Sequence, residues 1–148
     1  MNITIRKAVE NDFGDILSLL KAFASFQKTP HKVRTTVEQM KKEREIFQCL
    51  VAETKDQVII GFATFFFAYY SWTGKALYLD DLYVSEPRRG QKIGSMLLEE
   101  IIKIAKSSGC RKMRWQVSNW NQHAIEFYKK LGASIDEVEI NCDLELGT

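Results

Sequence analysis

The order of elements legible in this 148-residue chain predicts an α/β (α+β) fold, a mixed sheet with helices on its faces. Three observations carry that reading. Strand-like runs recur in "ITIRKA", "IFQCLVAE", "VIIGFATFFFAYY", "KALYLDDLYV", "RKMRWQVS" and "VEINCDLEL"; apolar residues recur at helical spacing after Asp12, after Ile93 and across "NQHAIEFYKKLGA"; and Gly or short polar turns separate the runs. The order is β-α-α-β-β-β-α-β-α-β.

In "ITIRKA" apolar and polar side chains alternate as in a half-buried strand, and Phe13, Ile16, Leu17, Leu20 and Phe23 then share one helical face. "TTVE", Thr35 to Glu38, has the spacing of a capping box, in which hydroxyl and carboxylate satisfy each other's end of the first turn; it opens a short charged helix to about Glu45. Lys55-Asp56-Gln57 is a short polar loop between two apolar runs, the signature of a hairpin. "SWTG" turns the chain into "KALYLDDLYV". Leu97, Leu98, Ile101, Ile102 and Ala105 mark the apolar face of a helix that opens near Ile93 and ends at Gly109. "NQHAIEFYKKLGA" is a further helix closed by Gly132, and "VEINCDLEL" is a last strand.

Composition bounds the function. Hydrophobic residues make up 45% and charged residues 27%, which suits a single domain over residues 1–148 and excludes extended disorder. A formal charge of +2 gives no overall basic signature for nucleic acid, so any anion site is local. The longest apolar run, Val58 to Tyr70, falls short of the ~20 residues that span a bilayer. The amino terminus has no apolar core behind a basic start, so a cytoplasmic protein with no membrane partner is expected. Cys49, Cys110 and Cys142 are scattered and lack CxxC pairing, so reduced thiols and no metal site are expected.

The densest local signal is "DDLYVSEPRRGQKIGSMLLEE", residues 80 to 100, where Pro87, Arg88, Arg89, Gly90, Lys92 and Gly94 cluster at a strand-to-helix junction. The first turn of a helix leaves N–H groups without partners, and the positive end of its dipole adds to them, so residues 89 to 95 form a natural phosphate cradle. A plain turn with solvated arginines is the competing reading. The stretch is neither a P-loop, which needs GxxxxGK, nor a GxGxxG dinucleotide fingerprint.

"RGQKIG", Arg89 to Gly94, resembles motif A of the GNAT superfamily of N-acetyltransferases, Arg/Gln-x-x-Gly-x-Gly/Ala, with Lys92 where the middle glycine is expected. A side chain there is expected to restrict the unusual backbone angles and close approach that glycine permits. With "LYLDDLYV", "GCRKMRWQV", "NWNQHAIEFYKKLGA" and "WTGK" in the same order and spacing, the chain is similar to the diamine acetyltransferases, the spermidine/spermine and thialysine-acetylating enzymes. The likeness runs from about Phe47 to Asp136, with a weaker echo in "IRKAVENDFGDILSLLKAF".

That resemblance implies the acyl-CoA N-acyltransferase fold of the GNAT type, a mainly antiparallel six- to seven-stranded sheet flanked by helices. It implies acetyl-coenzyme A (acetyl-CoA) as cosubstrate, its diphosphate over Arg89, Gly90, Gln91, Lys92, Ile93, Gly94 and Ser95 and its pantetheine arm along Leu82, Tyr83 and Val84. The amide near Leu82 would stabilise the oxyanion. Asn121 and Ala124 fall on the coenzyme side; the bare residues equally make Asn121 a helix N-cap. Tyr128 corresponds to the tyrosine that protonates the departing thiolate, although Ile125, Tyr128 and Leu131 share a face, so core packing is an alternative. Asp80 aligns with a glutamate that attracts or deprotonates the amine and is one methylene shorter, so a water relay is an option. Asp81 is first read as a carboxylate anchoring a neighbouring loop, since adjacent strand residues point to opposite faces unless a bulge intervenes.

Gln27, Trp115 and Gln116 complete the implied substrate wall, with Trp115 equally readable as core. Polyamine enzymes of this type carry acids after the first helix; here Gln27, Lys28, His31, Lys32 and Arg34 occupy "FQKTPHKVR", and like charges at ~4 Å repel by about 1 kcal/mol even in water. The expected acceptor is therefore a primary amine on a small molecule, a lysine-like amino acid before a polyamine. Family precedent adds a homodimer. The rival readings are a noncatalytic acyl-CoA-binding domain, suggested by Lys92 and the short Asp80, and a nucleic-acid binder using Arg88, Arg89 and Lys92, which lacks a wider basic face.

Overall fold

The computed structural model describes residues 2–147, which fall into two compact units, one ending at Gln116 and the other beginning at Val117. The first is built on a five-stranded sheet in the order β1 (Ile3–Lys7), β2 (Gln48–Thr54), β3 (Ile59–Tyr70), β4 (Gly74–Val84) and β5 (Lys112–Trp115). Short polar turns join β2 to β3 and β3 to β4, and these pairs are antiparallel, as is β1 with β2. β5 is parallel to β4, which requires a crossover, and helix α3 (Ile93–Ser107) supplies it.

The sheet lies between two apolar layers. On one face α3 buries Ile93, Leu97, Leu98, Ile101 and Ala105 against Leu50, Ala52, Ala63, Phe65, Leu77 and Leu79. On the other, Phe13 and Ile16 of α1 (Phe13–Phe26) and Met40 of α2 (Val37–Lys42) cover Cys49, Val51, Phe62 and Tyr83. Each large side chain so buried contributes roughly 1.5–3 kcal/mol, which is why both helices carry the 3.6-residue apolar spacing.

A three-charge cluster fixes where α1 leaves the sheet. The Arg6 guanidinium donates to both oxygens of Asp12, at 2.8 and 3.0 Å, and to both oxygens of Glu53, at 3.1 and 3.0 Å. Asp12 also accepts the Val9 N–H at 2.8 Å. The Arg6 hydrogen bonds hold the Asp12 and Glu53 carboxyls below the usual carboxylate range.

The structure corrects the sequence reading at three elements. The capping hydroxyl is that of Thr36, which accepts the Gln39 N–H at 3.1 Å, so α2 starts one residue later than the "TTVE" spacing implies. It also ends at Lys42 rather than near Glu45, because a turn closed by Ile46 N–H to Glu43 O at 2.9 Å redirects the chain into β2. The sheet has five strands where six to seven were expected. "VEINCDLEL" alternates, yet alternation reports sidedness and supplies no partner: Val138, Ile140, Leu144 and Leu146 are exposed, and Asp136 Oδ1 accepts the Val138 N–H at 2.8 Å in a local turn.

The second unit contains α4 (Gln122–Lys130), capped by Asn121, whose side-chain oxygen accepts the Ala124 N–H at 3.2 Å. Gly132, at φ 98°, ends that helix. No helix among the described residues is long and apolar enough to cross a membrane.

Asp12→Ala is expected to lower the unfolding free energy by about 2–3 kcal/mol, less than for a fully buried pair because Arg6 is partly solvated and keeps Glu53. Urea denaturation of the two proteins checks it.

Candidate active site

The site begins with a register fault. Thr64 of β3 pairs with Asp81 of β4 and Phe65 pairs with Leu79, leaving Asp80 unmatched in a β-bulge. Leu77 and Leu79 pack toward α3, and Leu82 and Val84 pack against the same cluster. Asp80 and Asp81 between them therefore both turn to the α1 face, on which Tyr83 is buried. The bulge thus removes the objection that two successive strand carboxylates must face opposite ways.

Asp81 is held by a hydrogen bond with Thr64 Oγ1. Burial pushes its carboxyl up to about 6, Asp80's charge adds to the rise, and the Thr64 hydrogen bond opposes it. Asp80 is more exposed, and desolvation raises its carboxyl too. β5 pairs with β4 only over Ala76–Leu79. Beyond the bulge, that edge of β4 at residues 80–84 has no strand partner among the described residues.

The same edge leads into the junction before α3. Lys92 takes φ 62° and ψ 20°, the left-handed conformation that glycine adopts freely. The expectation that a side chain bars this geometry is corrected: the lysine accepts it at a cost of roughly 1–2 kcal/mol. Gly90, at φ 86°, has open space where a Cβ would stand. Met96 N–H makes the first helical bond, to Lys92 O at 3.0 Å, so the amides of Ile93, Gly94 and Ser95 lie ahead of it. Ile93 itself is a core side chain and offers only its main chain.

Arg89 has partners within the protein. Its Nε donates to Val84 O at 3.1 Å, and its guanidinium sits 4.8 Å from the Phe26 ring centre and 5.2 Å from that of Tyr83. Tyr83 in turn stacks on Phe23 at 5.1 Å. The residue ties the junction to the last turn of α1, where Gln27 forms the C-cap. The Tyr83 side chain is therefore committed to contacts with α1 and Arg89.

The Acetyltransferase (GNAT) family profile matches residues 13–133, most of the chain. This chain belongs to the GNAT acetyltransferase family. It is 36% identical over 140 residues to mouse thialysine N-epsilon-acetyltransferase, covering 87% of this chain and 82% of that one. It is 36% identical over 114 residues to the L-ornithine N5-acetyltransferase of Arabidopsis thaliana, covering 76% of this chain and 48% of the other. A soil-metagenome aminoglycoside acetyltransferase in complex with sisomicin shares the fold, with a TM-score of 0.78 at 20% identity and 97% of each chain covered.

A GNAT enzyme transfers an acetyl group from acetyl-CoA to an amine, and the residues present fit that cosubstrate. Free first-turn amides with Lys92 suit a diphosphate, and the unpaired edge of β4 at Leu82, Tyr83 and Val84 suits an extended amide-bearing arm. Burial pushes the Cys49 thiol up to about 12, and no group of three or more metal-ligating side chains occurs among the described residues. Trp115 is half-buried and packs against the α3-side core. Of β5, Lys112 and Arg114 turn to the carboxylate face; the sequence reading passed over Arg114 although strand alternation beside Trp115 marks it. Asn121 is the N-cap of α4 and engages the Ala124 amide, so neither group is idle. Tyr128 is half-buried on α4, and desolvation raises its phenol. An open hollow of about 620 Å³ lined by Lys7, Glu10, Phe13, Arg44 and Cys49 contains none of residues 80–95 and is no candidate for the GNAT reaction.

Because Asp81 binds its proton more tightly folded than unfolded, at about 6 against 3.8, the protein loses stability as pH rises through that window. Asp81→Asn is expected to flatten this slope and to raise stability at neutral pH by up to on the order of 3 kcal/mol. Thermal melts from pH 4 to 7 check it.

Proposed function

We propose that this chain acetylates the side-chain amine of a small, lysine-like amino acid by direct attack of the amine on acetyl-CoA, the whole chain acting as one catalytic domain. The observation that carries this reading is the bulge at Asp80, which sets two carboxylates beside the free edge of β4. The names of the mouse and Arabidopsis relatives give amino-acid acceptors. The loop after α1, with Lys28, His31, Lys32 and Arg34, disfavours a multiply charged cation.

A primary amine with pKa ~10.4 is almost wholly protonated at neutral pH, so its attack needs a base. Asp80 takes that proton, directly or through one water, and Asp81 adds negative potential that attracts the ammonium. Acetyl-CoA supplies an activated thioester carbonyl and a thiolate leaving group. The main-chain N–H near Leu82 is the donor for charge developing on the carbonyl oxygen, a contribution typically worth ~3 kcal/mol. The amides of residues 90 to 95 and Lys92 hold the diphosphate, with Arg89 shaping their loop. Tyr128 gives a proton to the departing sulfur; its raised phenol pKa keeps that proton available. A cytoplasmic homodimer belongs to the same reading, supported by the exposed aromatics Tyr69 and Trp72, and sedimentation checks the dimer.

Tyr128→Phe is expected to lower kcat by about 10²-fold with the KM for acetyl-CoA changed less than about twofold, read as free-thiol release over a panel of small amines. Asp80→Asn is expected to lower kcat/KM for the amine by about 10²-fold at neutral pH, with recovery at high pH as free amine accumulates. Full activity in both variants would remove these roles.

A further inference from the structure

We propose that Arg114 selects an amino-acid acceptor, pairing with the acceptor's α-carboxylate while Asp80 takes its reacting amine. The inference rests on the acetyltransferase reading above and names what that site recognises.

β5 lies alongside β4 with Tyr78 opposite Arg114 and Leu79 opposite Trp115. Leu79 and Trp115 belong to the core under α3. Strand alternation therefore turns Tyr78 and Arg114 to the other face, where the bulge has placed Asp80 and Asp81. Electrostatics agree with this placement. Burial raises the Tyr78 phenol, Asp80's charge raises it further, and Arg114's charge opposes both. With strands about 4.8 Å apart and about 3.3 Å of rise per residue, the Arg114 and Asp80 backbones are separated by roughly 8 Å on the diagonal. An anionic and a cationic centre thus share one face, over residues 78 to 81 of β4.

Arg114 is also presented for recognition. It is exposed, and its guanidinium lies 4.4 Å from the Tyr70 ring centre, with Lys112 5.0 Å from the same ring. No carboxylate pairs with it among the described residues. Stacking occupies the flat face of a guanidinium and leaves its N–H edge, the fork that matches a carboxylate in a bidentate pair. A zwitterion with a short arm between amine and carboxylate complements both centres. A diamine would set its second ammonium against Arg114.

The test uses two acceptors that differ only in the carboxylate, L-thialysine and bis(2-aminoethyl) sulfide, with thiol release measured for wild type, Arg114→Gln and Arg114→Lys. Arg114→Gln is expected to lower kcat/KM for thialysine by about 10- to 100-fold, mostly through KM, and to raise that for the diamine by a few-fold at most, since its second ammonium no longer meets a cation. Arg114→Lys is expected to recover part of the loss, since it keeps the charge and loses the fork. Equal losses on both acceptors, or none on either, overturn the assignment to Arg114 while the acetyltransferase reading stands. A wild type that releases thiol with neither acceptor, nor with any other small amine, overturns both.

Discussion

The bulge in β4 is the constraint on which the rest of this site depends. One residue, Asp80, has no partner on β3, and the mismatch reverses which side of the strand faces each layer. Upstream, odd-numbered Leu77 and Leu79 lie under α3; downstream, even-numbered Leu82 and Val84 do. Two carboxylates fall in the crossover and share the α1 face. The pairing of β4 with β5 stops at Leu79, immediately before the bulge, so the strand's edge opens where the acids begin. A regular strand would have put one aspartate into the α3 core, where an unpaired carboxylate is costly.

The junction before α3 carries a second departure from regular structure, and the two are linked through Val84. Lys92 holds a left-handed backbone without a glycine, a local strain that surrounding structure must over-determine. Arg89 supplies part of that support by bonding the Val84 carbonyl and stacking on Phe26 and Tyr83. Side-chain charge at this junction therefore serves two purposes. Arg89 shapes the loop, and exposed Lys92 lies beside the open amides.

Membership of the GNAT family and a shared fold with an aminoglycoside acetyltransferase do not choose an acceptor. In the reading proposed above, that choice lies in how charge is distributed on one face of one sheet. Two acids concentrate negative potential near the free edge of β4, Arg114 supplies a positive centre on the neighbouring strand, and the basic loop after α1 adds more positive charge. An acceptor bearing both signs satisfies such an arrangement better than one bearing only positive charge.

From residues alone, most elements were legible because apolar periodicity and turn chemistry are local properties: Phe13 to Phe23 mark α1, Leu97 to Ala105 mark α3, and Lys55-Asp56-Gln57 marks the β2–β3 turn. The strand-to-helix junction at residues 89 to 95 was legible for the same reason, since an arginine- and glycine-rich segment opening a helix is a feature of a few neighbouring residues. Strand existence was not, as "VEINCDLEL" shows, because backbone hydrogen bonds of a strand come from another part of the chain. Tertiary structure alone decided that Asp80 and Asp81 share a face, that Trp115 turns to the α3 side and Arg114 away from it, and that Arg89 reaches Phe26. Each of these depends on register between strands or packing between distant segments, and pairing register is set by contacts that no window of consecutive residues contains.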